Sequence, residues 1–395
     1  METEIFIGQE MDLQDVKYIV VGAGIFGAVI AERIANDKEE RVLVLDKRSH
    51  WGGNCYSDFD RETGIEYHKY GTHIFHTSNE KVWKYINSFT DFNGYRHQVL
   101  SIYKNKAYQM PINLETINSF YGVNLSPYQV EEFLRKEIAK ERISEPRNLE
   151  EKAIALIGRP LYEAFIKGYT WKQWQKDPKF LPASIINRLP VRKNYDENYF
   201  FDPWQGIPKI GFGGIFEKLL SHPKIQVTLN TDFFKIRDQL PQPSLLIYSG
   251  PIDRFFDYRF GKLEWRTLDF EREVIPVEDF QGTSVMNYPE MEVPYIRIHE
   301  PRHLHADRNY TREKTLIFKE YSKLDPGENP YYPVNTPENQ AIFEKYSEEK
   351  KKLPGVIFGG RLGDYKYYDM DQVIASALST YKREIQEGGL RYEKA

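Results

Sequence analysis

The chain of 395 residues is longer than one ordinary domain, so two or three domains with substantial hydrophobic cores are expected. Its formal net charge is −4, and Lys and Arg are spread along the chain without the basic stripe that nucleic-acid binding requires. One cysteine, Cys55, excludes an intrachain disulfide, and with no signal sequence or long apolar run we expect a soluble cytosolic protein without membrane insertion.

A glycine-rich turn follows the first predicted strand. Residues 16–21 are largely apolar and lead into residues 22–27, Gly-Ala-Gly-Ile-Phe-Gly, and a second apolar strand over residues 41–45 ends at Asp46. Such a turn lets the backbone approach a pyrophosphate at a helix N-terminus, and an acid about 20 residues on accepts hydrogen bonds from a ribose. The sequence therefore predicts a dinucleotide site, and the added glycine pair at 52–53 favours FAD over NAD.

The middle of the chain predicts a helical insertion followed by an antiparallel sheet. Ser126, with proline after it, and Asn148 are good N-terminal residues for the helix-forming runs that follow them. From residue 257 to 321 apolar and polar residues alternate between turns, which is typical of an antiparallel sheet.

The C-terminal part predicts a return to the first domain. Residues 355–361 predict a buried strand ending in glycines, and residues 369–378 predict a helix with an acidic first turn. The predicted domains are a discontinuous FAD-binding domain of residues 15–90, 200–240 and 340–388, a mainly helical substrate domain of 100–198 with a mobile loop at about 175–190, and a sheet domain of 241–335.

Tyrosine is unusually frequent, with 28 residues, and gathers in four aromatic clusters. Any single tyrosine here is more often core or rim than ligand contact. Arg188, Arg266 and Arg297 lie in the same middle segments, however. Phenol hydroxyls and guanidinium groups are the donors that a diphosphate needs, and aromatic faces can stack on a base. The combination indicates a cleft for a nucleoside diphosphate.

Six separated segments resemble the bacterial, FAD-dependent UDP-galactopyranose mutase family, and the resemblance runs from about residue 16 to 385. The segments are residues 68–76, 167–174, 181–192, 293–297, 330–333 and 359–370. The resemblance implies an α/β plus α+β fold, in which a Rossmann-like FAD-binding domain carries an inserted helical domain and an antiparallel β-sheet domain. It also implies a homodimer.

The resemblance further implies roles for individual residues. Arg188 and Arg297 would clasp the diphosphate, and Tyr169 would stack on uracil. His73 and His76 would lie beside the isoalloxazine, and the implied catalytic residues are Arg188, Arg297, His73 and His76. The implied FAD contacts are Gly22, Gly24, Phe26, Gly27, Asp46, Lys47, Gly53, Asn54, His73, Arg361, Asp369 and Met370. The implied substrate contacts are Phe165, Tyr169, Gln173, Trp174, Arg188, Tyr199, Arg266, Asn287, Arg297, Tyr332, Tyr367 and Asp369.

Some features leave alternatives open. Asp369 also fits a simple helix cap, and at His97 many relatives have an asparagine near the nucleotide. His73 and His76 are three residues apart but lack further ligands in a recognisable spacing, so we expect no metal. Residues 1–15 precede the shared segments and receive no function.

The family interconverts UDP-galactopyranose and UDP-galactofuranose without net redox change, which supplies galactofuranose for cell-surface glycans. The resemblance implies that N5 of reduced FAD attacks the anomeric carbon while UDP leaves, so that the reduced form is active. The alternative is an FAD-dependent amine or alkene oxidoreductase, which would share the nucleotide domain but would have an apolar substrate tunnel. A binding protein that has lost its chemistry is a third hypothesis.

Overall fold

The computed structural model describes residues 6–7, 16–188 and 190–388. The side chains of residues 6, 7, 187 and 188 lie outside that description. Residue 15, the first residue of the predicted FAD-binding domain, also lies outside it. The strands are β1 Phe6–Ile7, β2 Tyr18–Val21, β3 Val42–Leu45, β4 Ser57–Phe59, β5 Glu66–His68, β6 Phe75–Thr77, β7 Val99–Tyr103, β8 Lys106–Met110, β9 Trp204–Gly206, β10 Ile225–Thr228, β11 Leu245–Tyr248, β12 Trp265–Ile275, β13 Val285–Asn287, β14 Arg297–His299, β15 Thr315–Leu324, β16 Tyr332–Pro333 and β17 Val356–Phe358.

The α-helices are α1 Ile25–Arg33, α2 Glu80–Asn87, α3 Leu114–Tyr121, α4 Pro127–Ala139, α5 Leu149–Ile157, α6 Arg159–Leu161, α7 Gly168–Trp174, α8 Gly211–Leu220, α9 Phe233–Ile236, α10 Ile252–Phe255, α11 Pro337–Lys350, α12 Gly360–Gly363 and α13 Met370–Thr380. A wider π-helical turn, Tyr162–Lys167, joins α6 to α7. Among the described helices, none combines the length and the apolar character needed to cross a bilayer.

The first sheet is six-stranded in the order β1-β10-β3-β2-β11-β17, and it is parallel apart from β1. All four residues of β3 are buried, as expected for a parallel strand covered on both faces. Helices α1, α8 and α13 share one hydrophobic core with these strands. The predicted fold class, with its Rossmann-like domain, is confirmed.

The second sheet has seven strands in the order β16-β12-β15-β14-β13-β7-β8, and every pairing in it is antiparallel except that of β13 with β7. The sheet pairings differ from two of the predicted domain ranges, whose boundaries were approximate. Strand β8 and all of β7 but Val99 fall in the range predicted as mainly helical, yet they form one edge of this sheet. Strand β11 lies within the range predicted for the sheet domain, yet it pairs with β2 and β17 in the first sheet.

Local capping explains where the inserted helices begin. The hydroxyl of Ser126 and the amide of Gln129 form a capping box, and Pro127 occupies the first turn of α4. The Asn148 side chain accepts a hydrogen bond from the backbone N–H of Glu151 at the start of α5. Buried residues of α3 to α6, of the π-helical turn and of β7, β8 and β13 form a second hydrophobic core, against which Trp174 of α7 packs.

A bidentate ion pair connects the turn between β4 and β5 to strand β12. Arg272 donates from Nε and Nη2 to Asp60, over 2.7 and 3.0 Å, and Thr63 donates its backbone N–H to the same carboxylate. Burial alone would raise the pKa of Asp60, but Arg272 and Thr63 lower it to about 2. The pair therefore stabilises the folded protein wherever Asp60 is ionised.

We predict that Asp60→Asn lowers the free energy of unfolding by about 1–3 kcal/mol at pH 7, because it removes a charge-assisted hydrogen-bond pair. This loss of unfolding free energy should become smaller as the pH falls from about 4 toward about 2. In that range the Asp60 carboxylate of the folded protein becomes protonated and its stabilising ion pair is lost. Urea unfolding at pH 7 and pH 3 measures both values. An equal loss at both pH values would contradict the ionic account.

Candidate active site

A groove runs along the carboxyl ends of the first sheet, beside the glycine turn. Gly22 has φ +107° and donates its N–H to Leu45. A Cβ on Gly27 would lie 2.0 Å from the carbonyl oxygen of Gly22, so a glycine is required where α1 packs on β2. Gly24 and Gly53 face each other, and a Cβ on Gly53 would lie 3.3 Å from Cα of Gly24. The turn therefore leaves room for a ligand against bare backbone.

Asp46 fastens the glycine turn to the end of β3. Its carboxylate accepts hydrogen bonds from the backbone N–H of Ala23, at 2.8 Å, and of Arg48, at 2.9 Å. Burial raises the pKa of Asp46, although these two backbone donors oppose the shift. Contact of Asp46 with a ribose stays a prediction.

The groove holds about 1190 Å³ of open space, its mouth included. Of the residues implied to contact FAD, all but Gly27 and Asp369 line it. The Asp369 side chain instead forms a capping box with Gln372 at the start of α13, which agrees with its helix-cap reading. Further lining residues were not predicted from the sequence, and among them are Arg48, Phe234, Tyr248 and Arg254. Strand β11, had it been recognised, would have indicated the last two.

The two histidines of the predicted flavin loop differ in environment. His73 lines the groove, and its Nδ1–H donates to the carbonyl of Gly71 at 2.6 Å, which leaves Nε2 as an acceptor. Burial lowers the pKa of His73 to about 4. His76 is not among the described lining residues: its Nδ1 lies 2.6 Å from Asp202 and its ring stacks on Phe200. The expected place of His76 beside the flavin stays a prediction.

We predict opposite outcomes for two glycine substitutions. Gly27→Ala should lower the free energy of unfolding by about 3 kcal/mol or more, because its methyl overlaps the Gly22 carbonyl. Gly24→Ala, whose nearest neighbour would be 3.9 Å away, should leave stability within about 1 kcal/mol and reduce retention of a dinucleotide, since the methyl enters the groove. Urea unfolding and cofactor absorbance separate the two effects. Similar stability losses in both variants would contradict this account of the turn.

A second cluster of polar groups surrounds Arg297 on strand β14. Arg297 donates from Nη2 to the hydroxyl of Tyr169 on α7, and its guanidinium carbon lies 5.5 Å from the centre of that ring. Asn287 stands directly opposite Arg297 in the sheet register, and its Oδ1 has no hydrogen-bond partner among the described residues. These groups provide a cation, an aromatic face and an acceptor within one small area.

A buried carboxylate fixes Arg297 from behind. Glu320 pairs with Arg297 across β15 and β14, and its Oε1 lies 3.5 Å from the arginine Nε. His299 Nε2 lies 2.7 Å from the other Glu320 oxygen, and His299 Nδ1 lies 2.7 Å from the hydroxyl of Thr72. Burial raises the pKa of Glu320, but Arg297 and His299 together bring it below its ordinary value. Burial lowers the pKa of His299, so a neutral imidazole donates to an ionised Glu320.

Aromatic residues complete this cluster and connect it to the groove. Tyr332 stacks on Tyr367 with ring centres 5.7 Å apart, and the guanidinium carbon of Arg361, which lines the groove, is 5.2 Å from the ring centre of Tyr367. His97 packs at 5.3 Å from Tyr199. Burial, with Arg297 nearby, lowers the pKa of His97 to about 3, so this imidazole is neutral in the cluster wall.

Two predicted substrate residues are buried in the protein interior. Arg266 is 2% exposed and donates to the carbonyl of Gln173 and to the hydroxyl of Ser322, so it holds the end of α7. Phe165 is 4% exposed and packs against other aromatic rings, the nearest at 5.1 Å. Their protein contacts cover most of their surfaces, and their contact with substrate stays a prediction.

The other predicted substrate residues differ in their exposure to solvent. Gln173 and Trp174 lie at the end of α7 and are half-buried, and Tyr199 is 37% exposed. The side chain of Arg188 lies outside the described residues, so its role stays a prediction. Its backbone ends a short 3₁₀ stretch, Ala183–Arg188, in the segment predicted to be mobile.

One group of side chains away from the cluster has the composition of a metal site. The ligand atoms of Asp279, Glu300 and His303 lie within 4.8 Å of one another. The Glu300 carboxylate already accepts hydrogen bonds from the backbone of Phe280 and the hydroxyl of Thr315. The protein itself therefore satisfies the Glu300 carboxylate. We infer no metal site from these three side chains.

The fold and the groove define a dinucleotide-binding α/β protein with a second, largely antiparallel sheet. A model of NAD(P)-binding Rossmann-like domains matches residues 20–89, and a model of UDP-galactopyranose mutases matches residues 164–367. Two relatives are a probable UDP-galactopyranose mutase of Klebsiella pneumoniae, 42% identical over 92% of this chain and 93% of that one, and a dTDP-fucopyranose mutase of Escherichia coli, 39% identical over 92% and 96%.

Solved structures share the fold. A reduced UDP-galactopyranose mutase superposes with a TM-score of 0.74 at 13% identity, covering 94% of both chains. A putative protoporphyrinogen oxidase from Exiguobacterium sp. 255-15 has a TM-score of 0.62 at 11% identity, covering 94% of this chain and 98% of that one. From the family model and the identity to curated relatives, the chain belongs to the UDP-galactopyranose mutase family and is an isomerase.

Proposed function

We propose that this protein is an FAD-dependent nucleotide-sugar mutase that interconverts UDP-galactopyranose and UDP-galactofuranose. The observation that carries the proposal is the Arg297 cluster, which combines a fixed cation with an aromatic ring. Tyr332 lies between this cluster and the groove, because it interacts electrostatically with both Arg297 and the groove residue Arg361. A diphosphate needs a cation to bind it, and a base needs an aromatic ring on which to stack. The oxidoreductase alternative would need an apolar tunnel at this place.

The groove fits FAD. The bare backbone at Gly24 and Gly53 accommodates a pyrophosphate, the N-terminus of α1 and the side chains of Arg48 and Arg361 favour its negative charge, and Met370 borders the same groove. When bound in its reduced form, FAD supplies a nucleophilic nitrogen, N5, for the anomeric carbon of the sugar.

The chain's own groups prepare the substrate for this chemistry. Arg297, oriented by Glu320, would neutralise the charge that develops on the departing diphosphate, which lowers the barrier and not only the binding energy. The hydroxyls of Tyr332 and Tyr367 would donate to the same phosphates, because burial raises the pKa of Tyr332 and keeps its proton in place. We also propose that Arg188 approaches from the segment at 175–190, which would exclude water.

A second substrate is favoured by one relative. The dTDP-fucopyranose mutase is nearly as similar to this chain as the probable UDP-galactopyranose mutase is. Thymine differs from uracil by one methyl group, and fucose lacks the 6-hydroxyl of galactose, so the same clasp for the diphosphate and the same stack on the base would serve either substrate. We also propose, from the family resemblance, that the protein is a cytosolic homodimer. On the same basis we propose that its product supplies furanose sugar for cell-surface glycans.

The test is an anaerobic assay of the purified protein, oxidised or reduced by dithionite, with UDP-galactofuranose and with dTDP-fucopyranose as separate substrates. We expect ring-size interconversion of the UDP sugar in the reduced form alone. Turnover of the dTDP sugar in its place would move the proposal to the second substrate. Absence of both reactions, in protein that retains its flavin, would overturn it.

Two substitutions of one residue test the base-stacking role. Tyr169→Ala should weaken UDP binding about tenfold or more, because it removes the ring on which the base would stack. Tyr169→Phe keeps the ring and loses only the hydroxyl that Arg297 contacts, so a smaller weakening of about threefold is expected. Calorimetric titration with UDP measures both variants at unchanged flavin content. Equal affinities for Tyr169→Ala and the wild type would contradict the stacking role.

A further inference from the structure

Helix α7 carries a buried lysine whose contacts all lie on one loop. Lys172 is 7% exposed, and its Nζ donates to the backbone carbonyls of Glu290 and Val293 at 3.0 Å and of Tyr295 at 2.9 Å, and also to that of Tyr288. An ammonium has three N–H donors, so four convergent carbonyls saturate it. These carbonyls belong to residues 288–295, the connection between β13 and β14.

The loop held by Lys172 supports Arg297. Strand β13 ends at Asn287 and β14 begins at Arg297, so the residues on both sides of the connection belong to the candidate diphosphate site. Few backbone hydrogen bonds order the connection from within; they include Tyr288 to Ile296 and Val293 to Glu290. Without the ammonium, several of its carbonyls would lose their partner.

The helix meets the same loop through a second close contact. Gly168 precedes Lys172 by four residues and therefore lies on the same face of α7. A Cβ on Gly168 would lie 2.1 Å from the carbonyl oxygen of Pro289, so only glycine permits this approach. Tyr169 and Gln173 form the neighbouring face. One face of α7 thus docks on the loop, and the adjacent face carries the ring proposed to stack on the base.

We propose that Lys172 is a positioning residue that sets the distance between the base-stacking ring of Tyr169 and the diphosphate-binding guanidinium of Arg297. It acts through the loop of residues 288–295 and does not contact the nucleotide. The inference rests on the proposed function, because it assigns the base and the diphosphate to these two side chains. Its consequence is selective: loss of Lys172 impairs ligands that need both side chains at once.

The experiment compares UDP, which would use both contacts, with uridine, which lacks the diphosphate. In flavin-loaded Lys172→Met, we expect UDP affinity to fall about tenfold or more and uridine affinity to change less than about threefold. The control is Lys167→Met, an exposed lysine one residue before α7, which should bind both ligands as the wild type does. Equal losses for UDP and uridine would show general damage to α7 and overturn the proposal.

A double-mutant cycle tests whether Lys172 acts through Arg297. In an Arg297→Ala background the added Lys172→Met change should weaken UDP binding less than about threefold, because the contact that Lys172 positions is already absent. A full additive loss would overturn the proposal. If Lys172→Met does not fold, Lys172→Arg gives the same comparison, since a planar guanidinium cannot satisfy four convergent carbonyls.

Wild-type data separate this inference from the proposed function. If the wild-type protein binds neither UDP nor dTDP and turns over neither sugar nucleotide, the proposed function fails, whatever the variants do. If the wild type binds UDP and catalyses ring interconversion while Lys172→Met binds UDP normally, only the role of Lys172 fails.

Discussion

The buried carboxylate of Glu320 is the constraint on which the arrangement of the site depends. A charge in the interior is costly unless it is paired and hydrogen-bonded. Arg297 and His299 supply those partners, and both come from the strand that pairs with Glu320. The guanidinium that faces the cluster is therefore held in place before any ligand arrives, which reduces the cost of ordering it on binding.

The same network extends from the second sheet to the groove. Thr72, the partner of His299, immediately precedes His73 in the chain, and His73 lines the groove. A neutral His299 suits this position because it accepts from Thr72 at one nitrogen and donates to Glu320 at the other. The groove and the arginine cluster are thus linked through the chain from His73 to Thr72, two hydrogen bonds that lead from Thr72 through His299 to Glu320, and the ion pair of Glu320 with Arg297.

Features of the fold that depend on near neighbours could be predicted from the sequence. Helices α4, α5 and α13 begin where Ser126, Asn148 and Asp369 indicated, because a cap is decided within a few residues. Strands β7, β8 and β11 pair in a different sheet from the one that their approximate predicted ranges suggested. The sheet to which a strand belongs depends on its pairing with distant segments. The sequence of a short strand does not indicate which segment it will pair with.

The site shows the same division. The glycine turn was predicted because its geometry is local, and Arg297 was singled out by its tyrosine-rich surroundings and given its predicted role by the family resemblance. Arg266 is equally cationic, but tertiary packing buries it against Gln173 and Ser322. Glu320 and His299 were missed, since they become neighbours only through the register of β14 and β15. His97, noted as a departure from relatives, is a neutral residue packed against Tyr199.

The parallel pairing of β7 with β13 has a mechanical consequence. These strands come from opposite sides of the helical segment in the chain, and side chains of β7, β8 and β13 belong to its hydrophobic core. The inserted helices therefore pack directly on the sheet that contains Arg297. Moving all of these helices away from the sheet would break hydrogen bonds between the strands and expose that core. Shifts of a short segment, such as the stretch of residues 175–188 that we predict to be mobile, would open the site without breaking these contacts.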